Sequence, residues 1–158
     1  MVSRYARAPR GHRAYSQQRR HYGANVTLLA GLSLNGMTAP LVIEGSVTTA
    51  VFEASIAQVV CPTLHPGDLV ILDNLAAHHA STIDTLIRAK GAQLLFLPAY
   101  SPDFSPIENA FSKIKHFLRQ ARAQTLETLI DAIDQALQTI TPFDALGFFT
   151  NAGLLNLD

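Results

Sequence analysis

The chain has little cysteine and no long hydrophobic run, and both shortages exclude classes of protein. Cys61 is the one cysteine among 158 residues, so an internal disulfide and a zinc site built from cysteine pairs are excluded. The longest apolar stretches fall well short of the roughly 18 residues that a membrane helix needs, and no charged start with an apolar run resembles a signal peptide. We therefore expect a cytoplasmic protein with no membrane partner.

Acidic residues are missing from the first part of the chain. No Asp or Glu precedes Glu44, and residues 1–22 contain six arginines, a formal charge of +6 that leaves 6 basic against 12 acidic residues in 23–158. Such a segment has salt-dependent affinity for phosphates. We predict a basic, nucleic-acid-binding arm at residues 1–22; a solvated terminus is the alternative. The arginines are Arg4, Arg7, Arg10, Arg13, Arg19 and Arg20.

Residues 23–158 are long and apolar enough for one folded domain, since 48% of the chain is hydrophobic. Apolar segments at 24–34 and 39–44 flank Asn35-Gly36, which predicts an antiparallel hairpin with a type I′ turn. Thr48 or Thr49 begins a predicted helix that extends to about Val60. The hairpin and this helix form the first part of the predicted domain.

Strands and helices alternate in the next part of the sequence. Residues 68–73 and 93–97 predict buried strands, and Ser81 to Asp84 predicts the capping box of a helix between them. This order indicates parallel crossovers, so we expect an α/β fold with a mixed sheet. Two amphipathic helices are predicted next, one from about residue 106 and one over about 126–140. The apolar stripe predicted for the second consists of Leu126, Ile130, Ile133 and Leu137.

Asp73 and Glu108 are the candidate catalytic residues. Asp73 ends an apolar run at the carboxyl end of a predicted strand, where open α/β sheets bind ligands, and Glu108 lies in the first turn of a predicted helix. Each has a structural alternative. Asp73 and Asn74 would form an Asx turn, and Glu108 would form a capping box with Ser105. Two carboxylates brought together suit divalent metal and phosphate chemistry.

The helix that contains Glu108 also carries cations. At about 100° per residue, one arc holds an apolar stripe of Ile107, Phe111, Ile114 and Leu118. A neighbouring arc holds Glu108, Lys115, Arg119 and Arg122. This pattern predicts a metal-binding carboxylate at the start of the helix and contacts with a nucleic-acid backbone along its length.

Two segments resemble the second and third catalytic blocks of mariner-type DDE transposases, in particular the bacterial insertion-sequence branch. The first is residues 70–78, Val-Ile-Leu-Asp-Asn-Leu-Ala-Ala-His; the second is residues 97–109, Leu-Pro-Ala-Tyr-Ser-Pro-Asp-Phe-Ser-Pro-Ile-Glu-Asn, followed by Lys115. The 34 residues between Asp73 and Glu108 also fit that branch. Residues 7–11, Arg-Ala-Pro-Arg-Gly, resemble the stretch after the first catalytic block.

This resemblance implies a ribonuclease H-like fold and DNA transposition. Two Mg²⁺ or Mn²⁺ ions held by three carboxylates would activate water, and then a DNA 3′-hydroxyl, for attack on a phosphodiester. Asp73 would be the second metal ligand and Glu108 the third, with Asn74, His78 and Asn109 positioning ligands or substrate. The expected DNA-binding residues are Arg4, Arg7, Arg10, Arg13, Lys115, Arg119 and Arg122.

The first catalytic Asp of the family has no counterpart in this sequence. In the family it lies on a first strand, upstream of the segment that matches residues 4–11. We therefore expect the first strand to be missing and the chain alone to be inactive. Three hypotheses follow: a transposase part completed by an upstream reading-frame product, an inactive remnant, or a non-catalytic DNA-binding or interfering protein. Loss of a central strand would expose ladder groups, which predicts a poorly soluble or homo-oligomeric chain.

Overall fold

A computed structural model describes residues 25–73, 80–98 and 105–155. The predicted basic arm lies outside the described residues, which form four strands and five α-helices. In chain order these are β1 (Val26–Ser33), β2 (Gly36–Glu44), α1 (Thr49–Ser55), β3 (Leu69–Leu72), α2 (Ala80–Arg88), β4 (Gln93–Phe96), α3 (Pro106–Ala121), α4 (Leu126–Gln138) and α5 (Pro142–Asn151).

The predicted antiparallel hairpin is confirmed, but its turn differs from the prediction. Ser33 pairs with Gly36, so Leu34 and Asn35 are the central residues. Gly36 has a φ of +114°, whereas neither central residue has a positive φ. The predicted type I′ turn at Asn35-Gly36 is therefore wrong, because that turn needs positive φ at both central residues. Glycine directly after the two central residues is instead typical of a type I turn.

A bulge interrupts the hairpin ladder. The register shifts between Leu29 and Gly31 of β1, and the opposing segment of β2 holds Ala39 and Pro40. Ala39 has a φ of +51°. The bulge gives Pro40 a place in the strand, since proline cannot donate a ladder hydrogen bond and is found at bulges and sheet edges.

The predicted parallel crossover is also confirmed, and α2 connects its two strands. β3 pairs with β4 in a parallel register from Leu69 opposite Gln93 to Leu72 opposite Phe96. The predicted capping box at Ser81 is wrong, because Ser81 already lies inside α2. Asp84 instead accepts a hydrogen bond from Arg88 at 2.6 Å, one turn later. Within the described residues, the antiparallel and parallel pairs form separate two-stranded sheets.

The described parts of the chain pack around two apolar clusters. The first joins α1, α2, β3 and β4 around buried Ile56, Ile83 and Ile87. The second joins the hairpin to α3, α4 and α5 around buried Ile114 and Ile140. Thr48 caps α1 as predicted, and the helical path continues as a π-helical segment (Ile56–Val60) and a 3-10 turn (Cys61–Thr63). In both clusters helices pack against strands, which confirms the predicted α/β class.

The last two helices depart from the sequence prediction. In α4, Ile133 is buried, but Leu126 and Ile130 are 40% and 43% exposed. Ala132 and Ala136 are buried instead, because α4 packs on α3 through its small side chains. Helix α5 was not predicted, although the Thr141 side chain caps it and Asp144 completes a capping box. Among the described residues no helix has both the length and the apolar character of a membrane span.

Candidate metal and DNA site

Asp73 lies where the sequence predicts it, directly after β3 at the carboxyl end of the parallel pair. The ladder continues to this point, since the Leu97 N–H donates to the Leu72 carbonyl at 2.8 Å. Asp73 is exposed, and its carboxylate makes no hydrogen bond with another described residue. The Asx-turn alternative involves Asn74 and its neighbours, which lie outside the described residues. Asp73 can therefore face a ligand at the edge of this sheet.

Glu108 lies in the first turn of α3 and is exposed. Ser105 is the N-cap, with an extended backbone, but its side chain makes no capping hydrogen bond. Glu108 contacts the cap through its backbone N–H, which donates to the Ser105 carbonyl at 3.2 Å. The predicted capping box is thus not formed. The Glu108 carboxylate, stabilised by the positive end of the helix dipole, makes no hydrogen bond with the described residues.

Helix α3, which carries Glu108, is firmly packed against the rest of the chain. Pro106 is buried at its first position, and Ala110 and Ile114 are buried along the same side. Lys113 fixes the helix to the following chain, because its ammonium group donates to the Thr139 carbonyl at 2.9 Å and to the Asp144 carboxylate at 2.8 Å.

The Asp144 carboxylate is strongly stabilised in its charged form. The hydrogen bond from Lys113 lowers the pKa of Asp144 to about 2, with further help from the Thr141 backbone and side chain. Lys113 therefore serves a structural ion pair. The charge of Lys113 is therefore paired with Asp144 and does not add to the predicted cationic face of α3, although Lys113 lies two positions from Lys115.

The predicted cationic face of α3 is exposed. Lys115, Arg119 and Arg122 are all accessible, as is Glu108. Glu108 is the only acidic residue in α3. At about 1.5 Å per residue, Arg119 lies roughly 16 Å along the axis from Glu108. Arg122 ends the helix in a left-handed conformation with a φ of +48°. An extended phosphate backbone can follow such a face.

The neighbouring helix α4 has the opposite charge. Glu127, Asp131 and Asp134 are exposed on it, and they recur at helical spacing. A groove between α3 and α4 is lined by Asp131, Gln120 and other residues, and it contains neither Asp73 nor Glu108. A polyanion would be attracted to the outer face of α3 and repelled by this side of α4.

The described residues contain part of the predicted site. Asn109 is exposed on α3 beside Glu108, while Asn74, His78, Arg4, Arg7, Arg10 and Arg13 lie outside the described residues. Within the described ranges, no group of three or more His, Cys, Asp or Glu side chains could hold a metal ion. Asp73 and Glu108 nevertheless offer donors of the kind that hard divalent ions prefer.

The chain belongs to the DDE superfamily endonuclease family, whose sequence model matches residues 1–130. The structure is also similar to a chain in the crystal structure of the Mos1 strand transfer complex, with 18% identity and a TM-score of 0.72 over 96% of this chain. The family match confirms the resemblance to DDE enzymes, and the structural match confirms the expected ribonuclease H-like fold. The match spans 46% of the Mos1 chain. No curated protein sequence matches.

Proposed function

We propose that this chain supplies two catalytic carboxylates and a DNA-contacting surface of a transposase that cuts and joins DNA strands with divalent metal ions. The observation that carries the proposal is the state of Asp73 and Glu108. Within a member of the DDE endonuclease family, both residues are exposed and neither side chain is hydrogen-bonded to a described residue. The Glu108 carboxylate thus does not fill the capping role that was its structural alternative, unlike Asp144, which completes a capping box and an ion pair.

Asp73 and Glu108 are the residues that would hold Mg²⁺ or Mn²⁺. A pair of bound ions supplies stabilisation of the entering and leaving oxygens during in-line attack on a phosphodiester. The protein supplies the positioning: β3 and α3 carry the two carboxylates, and Asn74, His78 and Asn109 position ligands or DNA. Carboxylate oxygens are the appropriate donors for either ion.

A third carboxylate is needed for the two-ion arrangement that the resemblance implies. No Asp or Glu occurs before Glu44, so we infer that a further polypeptide segment, such as the product of an upstream reading frame, supplies it. Residues 1–158 alone then do not cleave DNA. Translating the nucleotides upstream of the Met1 codon in three frames checks this. An apolar strand ending in Asp is expected, and its absence would favour a non-catalytic DNA-binding remnant.

The DNA surface consists of the outer face of α3 together with the arm. Lys115, Arg119 and Arg122 extend along the helix from the carboxylate, and residues 1–22 contribute a formal charge of +6. Cations spaced in this way neutralise phosphates and release counterions, which gives affinity with little dependence on base sequence. DNA bound along α3 would be guided toward Glu108.

Metal binding tests the role of the carboxylates without requiring activity. We expect Mn²⁺ to broaden the NMR signals of amides beside both Asp73 and Glu108, and we expect Asp73→Asn or Glu108→Gln to abolish most of this broadening. Glu127→Gln is the matched control, since Glu127 is an exposed acid in the first turn of α4. Broadening that persists in both site variants, or that is equally reduced in the control, would contradict the proposed metal site.

DNA affinity tests the cationic face separately. The double variant Lys115→Ala/Arg119→Ala is expected to weaken binding of any duplex sequence and to reduce the slope of log affinity against log salt by about 1 to 2, since each phosphate contact contributes about 0.9. Lys90→Ala removes an exposed lysine after α2 and serves as control. The variant lacking Arg4, Arg7, Arg10 and Arg13 should also weaken binding of every sequence, with a larger change in slope of up to about 3 to 4 for its four lost contacts. Unchanged affinity at low salt would exclude the surface in question.

A further inference from the structure

A second exposed row of side chains runs along α3 beside its cationic face. His116 directly follows Lys115 in the sequence, and Gln120 directly follows Arg119, so each lies about 100° around the helix from a cation. His116 and Gln120 are four positions apart, which puts them on the same side of the helix, and both are exposed. We call these two residues the polar row of α3; neither belongs to the metal site or to the cationic face.

A hydrogen bond joins the two side chains of the polar row. The amide nitrogen of Gln120 lies 3.0 Å from a ring nitrogen of His116. An amide nitrogen donates and does not accept, so this bond uses one of the two amide N–H groups. The second N–H and the carbonyl oxygen of Gln120 make no hydrogen bond with another described residue. The row therefore offers a donor and an acceptor side by side, on an amide group that His116 holds in place.

Charges of opposite sign lie on the two sides of the polar row. On one side is the cationic face, which attracts phosphates. On the other side is α4, and the groove that separates it from α3 is lined by both Gln120 and Asp131. Asp131 is exposed, as are Glu127 and Asp134, so this side repels phosphates. A phosphate backbone would therefore lie over the cationic face, and the polar row would face an uncharged part of the DNA.

The distance between the two rows matches the dimensions of a DNA groove. A helix with its side chains is about 10–12 Å across, so rows that are 100° apart on its surface are separated by about 8 Å. The major groove is about 12 Å wide, and the base edges lie between its two phosphate backbones. With one backbone on the cationic face, the polar row would lie over the base edges. The major groove is also the groove of DNA that admits an α-helix.

We propose that the polar row reads base edges in the major groove of DNA bound along α3, and that Gln120 determines which base is preferred. This inference rests on the proposed function, because it requires DNA to lie on the cationic face. In the major groove a glutamine side chain donates to N7 of adenine and accepts from its amino group, and Gln120 has one donor and one acceptor available for these bonds. His116 is a positioning residue, since its ring nitrogen fixes the Gln120 amide group.

Selection from a library of randomised DNA duplexes tests the inference with the full chain. We expect the bound fraction to be enriched in adenine at one position, and we expect Gln120→Arg to change that preference to guanine, whose O6 and N7 match the arginine side chain. Gln138→Arg is the matched control. Gln138 is an exposed glutamine that donates to Asp134, four positions earlier on α4, so this variant adds the same charge and should leave the base preference unchanged.

Affinity measurements provide the second test. Gln120→Ala should reduce the ratio of affinities for the selected duplex and a scrambled duplex by about tenfold, because one bidentate base contact is lost. The slope of log affinity against log salt should stay the same, since no phosphate contact is removed. His116→Ala should reduce the ratio by a smaller factor, and a ratio equal to that of the parent chain would overturn its positioning role.

The variants of the two rows separate this inference from the proposed function. If the parent chain selects no base, or if Gln120→Arg and Gln120→Ala select the same base as the parent, the polar row does not read DNA and the inference is overturned. That result, together with weaker binding of every duplex by Lys115→Ala/Arg119→Ala, would overturn the inference alone. Unchanged affinity in the Lys115→Ala/Arg119→Ala variant would overturn both, because DNA would then not lie along α3.

Discussion

The two candidate carboxylates stand on elements with very different support. Glu108 begins a 16-residue helix that is packed into an apolar cluster and fixed by Lys113. Asp73 follows a four-residue strand in a parallel pair, one face of which exposes Leu69 and Leu95 at 55% and 47%. Parallel sheets are normally covered on both faces. The comparison indicates that the described residues pack the helix of Glu108 into a core, whereas they leave one face of the strand pair beside Asp73 uncovered.

Core substitutions test whether the two supports are separate units. Ile114→Ala in the α3 cluster and Ile87→Ala in the α2 cluster each remove a fully buried side chain, and each should cost about 2–5 kcal/mol of stability. Native-state hydrogen exchange should show protection lost mainly in α3 to α5 for the first and mainly in α2, β3 and β4 for the second. Ile130→Ala, at a half-exposed site, is the control and should cost much less.

Equal loss of protection in both clusters from either core variant would contradict the comparison. It would mean that the described residues unfold as one cooperative unit. In that case the weaker cover of β3 and β4 would have no separate effect on Asp73.

A smaller effect is expected where the hairpin meets the α4–α5 connection. A Cβ added at Gly36 would lie 2.8 Å from the Ile140 carbonyl oxygen, at a φ of +114°. Gly36→Ala should therefore destabilise the chain by about 1–3 kcal/mol through backbone strain and displacement of that carbonyl. Gly45→Ala is a close control, since Gly45 has a φ of +102° and nothing within 4 Å of the added Cβ.

Thermal or urea unfolding measures the difference between these two glycine variants. Gly45→Ala carries only the conformational cost, so Gly36→Ala should be the more destabilised of the two. Equal destabilisation would show that the hairpin does not press on Ile140. The support of α3 would then not include the contact between the hairpin and the α4–α5 connection.

Local patterns predicted most of the fold because they depend on neighbouring residues. The hairpin, the crossover and α3 follow from periodicity and punctuation in the sequence. The stripe of α4 could not be predicted in the same way, since burial of Ala132 instead of Ile130 depends on how closely α3 approaches. The start of α2 was predicted wrongly because serine is a common N-cap residue, whereas Ser81 lies within the helix.

The same difference between local and nonlocal features applies to the candidate site. The positions of Asp73 at a strand end and Glu108 at a helix start were predictable from sequence, because each motif is local. The absence of a capping box at Glu108 was not predictable. Ser105 is a residue type that commonly caps helices, but its side chain does not form the capping hydrogen bond. The arrangement of the two carboxylates depends on nonlocal packing, which no local pattern specifies.

The smallest expected effect concerns the ion pair that fixes α3 to α5. Because the pKa of Asp144 is lowered to about 2 in the folded chain, the unfolded chain binds its proton first as the pH falls from about 4. The stabilisation is therefore fully present above the unfolded pKa and is lost as the pH drops toward 2. Asp144 is 25% exposed and Lys113 41%, so solvent screening limits the effect to about 1 kcal/mol.

Urea unfolding between pH 2 and pH 6 measures this contribution as the difference between the parent chain and Asp144→Asn. The difference should be about 1 kcal/mol near pH 6 and should shrink at the acid end of that range. Asp134→Asn is the control, because Asp134 accepts a hydrogen bond only from Gln138 on its own helix among the described residues. If Asp144→Asn and Asp134→Asn lose the same stability at every pH, Lys113 does not fix α3. The firm support of Glu108 would then come from apolar packing alone.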